Sequence, residues 1–404
     1  MDRHVASARL LLASQFISGI GDQLLNLALA ISVFSIHHSS LWLALSFSAM
    51  YIGAVPGYFL MPFFRRFPPN RIMATADLIS VVTVLMVLQI LRSAWVLVPL
   101  FVLGVLRAIT RPLAQALVPR LSVEGTHVGR LTADLQTANT LSMVVGFAAA
   151  GFFIVAHSLP WALGIDAMSF LLSACFELFI WVPVVPIYRE TQRYLGTLLM
   201  GWRRVTGNRL IKSLVLFNTA AFGLEIGFNN QLVALIHQHS SNSLYYLLTE
   251  FAMSTGILVA STTLRGSPFV HVKRRGRLQL WLGATTVLGL CYTAADIAPA
   301  LVAVITFLFV SSLADGASVV AQNHLMHLEI TDEHRNQVYT LRFVMRNLGK
   351  AGFSILMGVA IASFGLHLVL LLVGIAIVIV TAGIAVYMRL STEEGSNASY
   401  SRYM

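Results

Sequence analysis

Along the chain, apolar runs long enough to cross a bilayer alternate with short intervals marked by Gly, Pro and charge. A helix rising about 1.5 Å per residue needs about 20 apolar residues to cross about 30 Å of hydrocarbon. The runs predict twelve such helices, beginning near Arg9, Leu41, Ile72, Trp95, Thr132, Trp161, Leu210, Ser243, Leu278, Ile297, Gln337 and Leu366. They are too long for strands and do not alternate. Lipid offers no partner to an open backbone group, so the predicted fold class is an all-α membrane protein with twelve transmembrane helices. The start, MDRHVASARLLLASQF, runs straight into a full-length span without a small-residue cleavage pattern and is read as a retained first helix.

Composition changes the picture only by sharpening it. Of 404 residues, 57% are hydrophobic and 11% charged; soluble domains carry about 25% charged residues, which excludes a cytosolic enzyme. The formal charge is +10, and the cations cluster at alternate span ends. Arg65, Arg66 and Arg71 follow span two, and Arg120 and Arg130 follow span four. Arg189, Arg193, Arg203, Arg204 and Arg209 lie between spans six and seven; Lys273, Arg274, Arg275 and Arg277 follow span eight; Arg335 follows span ten. Only Arg92 falls on the other side. The positive-inside bias therefore predicts that both termini are cytoplasmic, and the expected location is the inner (cytoplasmic) membrane, as a multi-pass protein. It also explains the basic charge without a nucleic-acid partner. Cys175 and Cys291 sit in apolar runs, which supports no disulfide or cysteine metal site. No phosphate-cradling Gly-Lys loop and no nucleophile–base set is visible, so no cofactor and no enzymatic activity are expected.

The polar interval 183–209 divides the chain into two halves of six spans: a bundle at 1–182, a cytoplasmic linker, a bundle at 210–390 and a cytoplasmic tail at 391–404. Asp22 and Asn26 in span one are matched by Glu225 and Asn229 in span seven, 203 residues later; Gly146 and Gly349 are also 203 apart, and Arg130 and Arg335 are 205 apart. This predicts two parallel six-helix repeats with a substrate path between halves that rock around it.

Ionisable groups inside the membrane are costly and mark cavities or partners. Ser14, Ser18, Asp22 and Asn26 share one helix face, as do Asn218, Glu225 and Asn229, and the two stripes are expected to oppose each other across the path. Removal from water disfavours the charged form of a carboxyl. That makes Asp22 and Glu225 the proton-coupling candidates, with Glu250 and Asp315 behind them; the alternative is hydrogen bonding that only fixes packing. Asp166 and Glu177 are assigned to structure. Asp77 is expected to open span three at the cytoplasmic edge, capping the helix or pairing with loop arginines in a gating role. Arg107, Arg111 and Gln115 on span four, and Arg342, Arg346 and Lys350 on span eleven, recur every four residues as basic ladders. With Ser18, Asn26, Asn218 and Asn229 they are the substrate-binding candidates. They suit an anionic solute; the alternative is charge balance with intramembrane acids.

The segments SQFISGIGDQLLNLALA, RIMATADL, VLRAITRPLAQALVPRL, TANTLSMVVGFAAAG and IDAMSFLLSA give the chain, over essentially its whole length, a resemblance to major facilitator superfamily transporters. The nearest branch is drug and siderophore efflux, with enterobactin exporter-like and macrolide exporter-like proteins. Taken with the buried carboxyls, the basic ladders and the repeat, the resemblance leads to the expectation of a monomeric, proton-coupled secondary transporter exporting a small anionic metabolite such as a siderophore by alternating access; it puts Arg107 at the position of a membrane arginine that influences proton transfer. A multidrug exporter of macrolides or lipophilic cations and an importer or transporter-like receptor are the alternatives. Arg65, Arg66, Arg71 and Asp77 stand at the gating loop, where PFFRRFPPNR has Arg65 in place of the usual acid. Gly146 and Gly151 form the span-five framework, with Phe147 where the antiporter pattern has proline.

Overall fold

The computed structural model describes residues 2–64, 67–121, 128–155, 159–182, 194–265, 274–330 and 332–400. Among these, the first half supplies α1 (Asp2–His37), α2 (Ser40–Phe64), α3 (Pro69–Ile90), α4 (Leu97–Leu121), α5 (Val128–Val155) and α6 (Leu159–Leu178). The second supplies α7 (Tyr194–Gly207), α8 (Arg209–Asn230), α9 (Leu232–His239), α10 (Ser243–Arg265), α11 (Arg274–Ile297), α12 (Leu301–Glu329), α13 (Asp332–Phe364) and α14 (Leu366–Tyr400). Among the described residues, eleven helices are long and apolar enough to cross a membrane; α5, with 28 residues, carries the predicted fifth span.

Most starts fall within a few residues of expectation. The tenth spanning helix begins at Leu301 instead of near Ile297, because α11 runs through Ile297 and Pro299 disfavours helical backbone at Ala298. The segment after residue 390 continues α14 to Tyr400, since extending an existing helix by a few turns avoids a new nucleation step.

The chain forms two compact units, one of residues 1–190 with 230–251 and one of 191–229 with 252–404. In the first, α1 packs on α5 and α6, α2 on α4, and α3 on α4 and α6. Leu11, Met73, Leu113, Leu117 and Leu121 are buried where these helices meet, while Leu78, Val82 and Met86 of α3 point away from protein, as lipid-facing positions do. In the second, α11 packs on α12 and α14, and α13 on α7 and α14, around a core containing Phe217, Trp281, Leu325 and Leu341.

Lipid is as apolar as leucine, so membrane helices associate where small residues let backbones approach. A Cβ on Gly146 of α5 would lie 3.0 Å from the Ile20 carbonyl oxygen of α1, and one on Gly349 of α13 would lie 2.7 Å from the Thr219 carbonyl oxygen of α8. Residues 203 apart thus serve the same contact, between the first and fifth spanning helices of each half, α1 with α5 and α8 with α13.

Candidate functional site

In the first unit, Asp22 is buried midway along α1, and α4 presents Arg107 and Arg111 on successive turns. Arg107 Nη2 stands 2.6 Å from Asp22 Oδ1, off the hydrogen-bond axis, and Arg111 Nη2 donates to Asp22 Oδ2 at 3.3 Å. Each carboxylate oxygen has its own guanidinium. Exposure separates the cations: the Arg107 side chain is 16% exposed and Arg111 70%. A buried inner pair is therefore joined to an exposed outer cation. Asp166 of α6, fully buried, lies within electrostatic reach of both Asp22 and Arg107, and its Oδ1 presses on α1 at Gly21. Ser18 and Asn26 are half-buried on α1, whereas Ser14 is fully buried and donates to the Leu11 carbonyl at 3.0 Å. Gln115 is exposed on α4.

The gating set is redistributed. Pro69 begins α3, as the missing N–H of proline allows at a first helical position, so Asp77 lies two turns inside the helix and is buried. This corrects the expectation that it opens the span at the edge. Ser173 of α6 hydrogen-bonds Asp77 and also donates to Glu177 Oε1 at 3.5 Å. Asn70 Nδ2 bonds the Ile180 carbonyl at 3.0 Å. Arg71 is exposed on the first turn of α3. Arg65 and Arg66 lie outside the described residues, and Gly151 belongs to α5.

In the second unit, Phe222 and Glu225 of α8, Trp281 and Thr285 of α11, and Asp315 and Gln322 of α12 line a small cavity. It admits the centre of a water molecule over about 20 Å³, room for one or two ordered waters. The Arg346 guanidinium of α13 lies 3.8 Å from the Phe222 ring centroid, and Lys350 Nζ 5.0 Å from it. One ring therefore seats both cations, each within electrostatic reach of Glu225. Arg342 is employed differently: Nη2 donates to Gln322 Oε1 and Nη1 to Asn323 Oδ1, both at 3.1 Å. Asn218 donates to the same Gln322 oxygen at 2.9 Å, and Gln322 Nε2 donates to the Leu214 carbonyl at 3.2 Å. Asn229 accepts from Tyr292 at 3.0 Å. Glu250, which belongs to the first unit, is hydrogen-bonded by Tyr246 one turn earlier on α10.

Phe222, Gln322 and Asn323 were not singled out by spacing. The Gln–Asn pair inside the apolar run of span ten was a usable signal; Phe222 gave none, being one of 24 phenylalanines. Gln322→Leu is expected to strand buried donors of Asn218 and Arg342, costing about 1–3 kcal/mol per stranded group. Thermal unfolding of the detergent-solubilised protein reads this, and an unchanged midpoint would contradict the role of Gln322.

A repeated six-helix bundle with a buried carboxyl group beside cations of its own unit defines a polytopic membrane transporter. The Major Facilitator Superfamily profile matches residues 11–354, and the chain belongs to that superfamily. It is similar in structure to the nucleoside transporter NupG, with a TM-score of 0.75 at 13% identity over 94% of this chain and 98% of that one. A POT family transporter in complex with 5-aminolevulinic acid gives 0.73 at 11% identity, covering 94% and 95%. A bacterial homolog of the human lysosomal transporter Spinster gives 0.70 at 13%, covering 96% and 97%. At these identities the likeness concerns the fold. No curated protein sequence matches the chain.

Proposed function

We propose that this transporter is a proton-coupled secondary carrier of a small anionic metabolite in the cytoplasmic membrane, working by alternating access with both termini in the cytoplasm. The observation that carries the reading is the contact of Asp22 with Arg107 and Arg111. Glu225, with Arg346 and Lys350 nearby, stands at the repeat-equivalent position in the other unit. An anion that binds these cations competes with the resident carboxylate. A proton on the carboxyl group removes the competitor, so anion and proton strengthen each other's binding by linkage. Ser18, Asn26 and the exposed Gln115 supply neutral hydrogen bonds near the outer cation, and Arg111 is the first contact for the solute. Under an inward proton gradient this linkage favours joint entry. Export of an anion such as a siderophore, the direction implied by resemblance to the efflux branch, instead requires proton and anion to bind in alternation.

One observation favours a second reading. Glu225 and Asp315 line the second-unit cavity together with Phe217, Phe222 and Trp281, carboxyls among aromatic rings that a lipophilic cation exchanging for protons would meet in a state where the cavity is wider, as in drug efflux. Proteoliposomes loaded with a pH-sensitive dye separate the readings. A panel of small carboxylates and organic phosphates is expected to acidify the lumen through the wild type and not through Asp22→Asn. Alkalinisation by ethidium without any anion response would establish the second reading, and silence to both would overturn proton coupling.

A further inference from the structure

The segment joining the halves contains α7, whose sequence YLGTLLMGWRRVTG is too short to span a bilayer and mixes apolar residues with arginine. One face is committed to protein. Val205 is fully buried, Leu198 packs against the same core, and a Cβ on Gly201 would come within 2.5 Å of the Gln337 carbonyl oxygen of α13. Gln337 lies near the start of the apolar stretch of α13 that is long enough to cross a membrane, and Arg209, just past the end of α7, starts that of α8. The helix is thereby fixed beside the first turns of two helices long and apolar enough to span a bilayer.

The other face is open. Leu199, Met200 and Trp202 are exposed there, and so are Arg203 and Arg204. Neither arginine has an ion-pair partner among the described residues. Tryptophan and leucine beside arginine are the composition of a helix lying in the bilayer interface, and a guanidinium fork matches the oxygens of a phosphate. Charge and apolar surface together fit one occupant.

We propose that α7 is a lateral anchor that binds the headgroup phosphate of an anionic phospholipid through Arg203 and Arg204, while Leu199, Met200 and Trp202 enter the acyl boundary. Because α7 packs on α13, which bears Arg342, Arg346 and Lys350, a bound lipid clamps the basic end of the helix that carries this unit's cations. The proposal is independent of the transported solute.

The test uses the full chain in neutral detergent, titrated with phosphatidylglycerol or with phosphatidylcholine and read by native mass spectrometry. The wild type is expected to retain phosphatidylglycerol in preference. Arg203→Gln with Arg204→Gln should weaken that retention about tenfold or more, because each juxtamembrane cation contributes separately to anionic-lipid attraction. Arg203→Lys with Arg204→Lys should keep the preference, and Leu199→Ser with Met200→Ser should weaken retention of both lipids. Both arginines are exposed, so unfolding in detergent alone should match the wild type and serves as the folding control. Equal phosphatidylglycerol retention by the glutamine variant would overturn the proposal. So would displacement of the lipid by free glycerol phosphate, which would mark a soluble-phosphate site.

Discussion

Arg107→Ala is expected to give the largest loss of any single cation, in both folded protein and transport. Asp22 is 12% exposed at its side chain and its nearer cation is Arg107, at 2.6 Å. Breaking a buried ion pair from one side leaves an uncompensated charge and costs about 3–5 kcal/mol. Arg111 cannot make up the difference, since its guanidinium is farther, at 3.3 Å, and its side chain is 70% exposed; Arg111→Ala should therefore change stability by no more than about 1 kcal/mol, as exposed pairs do. Adding Asp22→Asn to Arg107→Ala removes the stranded charge, so the double variant should recover stability while transport stays lost. The unfolding midpoint and recovered yield of the detergent-solubilised protein measure the first effect, and anion-driven acidification of proteoliposomes measures the second. An Arg107→Ala protein that unfolds at the wild-type temperature would refute the account of the pair.

The second large effect is steric. Gly349→Leu places a Cβ 2.7 Å from the Thr219 carbonyl oxygen and 2.8 Å from its Cγ2, and the backbone atom cannot step aside. Helices α8 and α13 would have to separate, and overpacking of a close contact costs about 1–3 kcal/mol even before a larger shift. Gly146→Leu should be milder, because the first atom it meets, at 2.8 Å, is the Gln23 side-chain Cβ, with the Ile20 carbonyl oxygen at 3.0 Å. Gly352→Leu is the control, three residues along the same helix as Gly349 with nothing within 4 Å. Size-exclusion profiles and unfolding midpoints should rank the variants in that order. Equal behaviour of Gly349→Leu and Gly352→Leu would show that the close helix contact does not matter.

The candidate site was partly legible in the order of residues. Asp22, Glu225, Arg107, Arg346 and Lys350 stood out because an ionisable group in an apolar run is conspicuous wherever the fold places it. Their division of labour was not. Arg342, Arg346 and Lys350 form one ladder by spacing, yet Arg342 is tied to Gln322 and Asn323 while the other two lie over Phe222. Spacing fixes a helix face but not the neighbour against which that face packs. Asp77 looked like an edge residue because charge near a span end usually marks the boundary; Pro69 starts the helix earlier and carries Asp77 inside, to Ser173.

Spanning helices, their approximate limits and the twofold repeat follow from the linear chain, because hydrocarbon thickness and backbone hydrogen bonding constrain each segment separately. The glycine pair 203 apart belongs to that legible part, since close approach demands a small residue at the same place in each half. Which acid meets which cation, the use of a plain phenylalanine as a seat for two charges, and the pinning of α7 by Gly201 came only with folding. These contacts join residues far apart in the chain, and side-chain reach across a helix interface leaves no periodic trace in the order of amino acids.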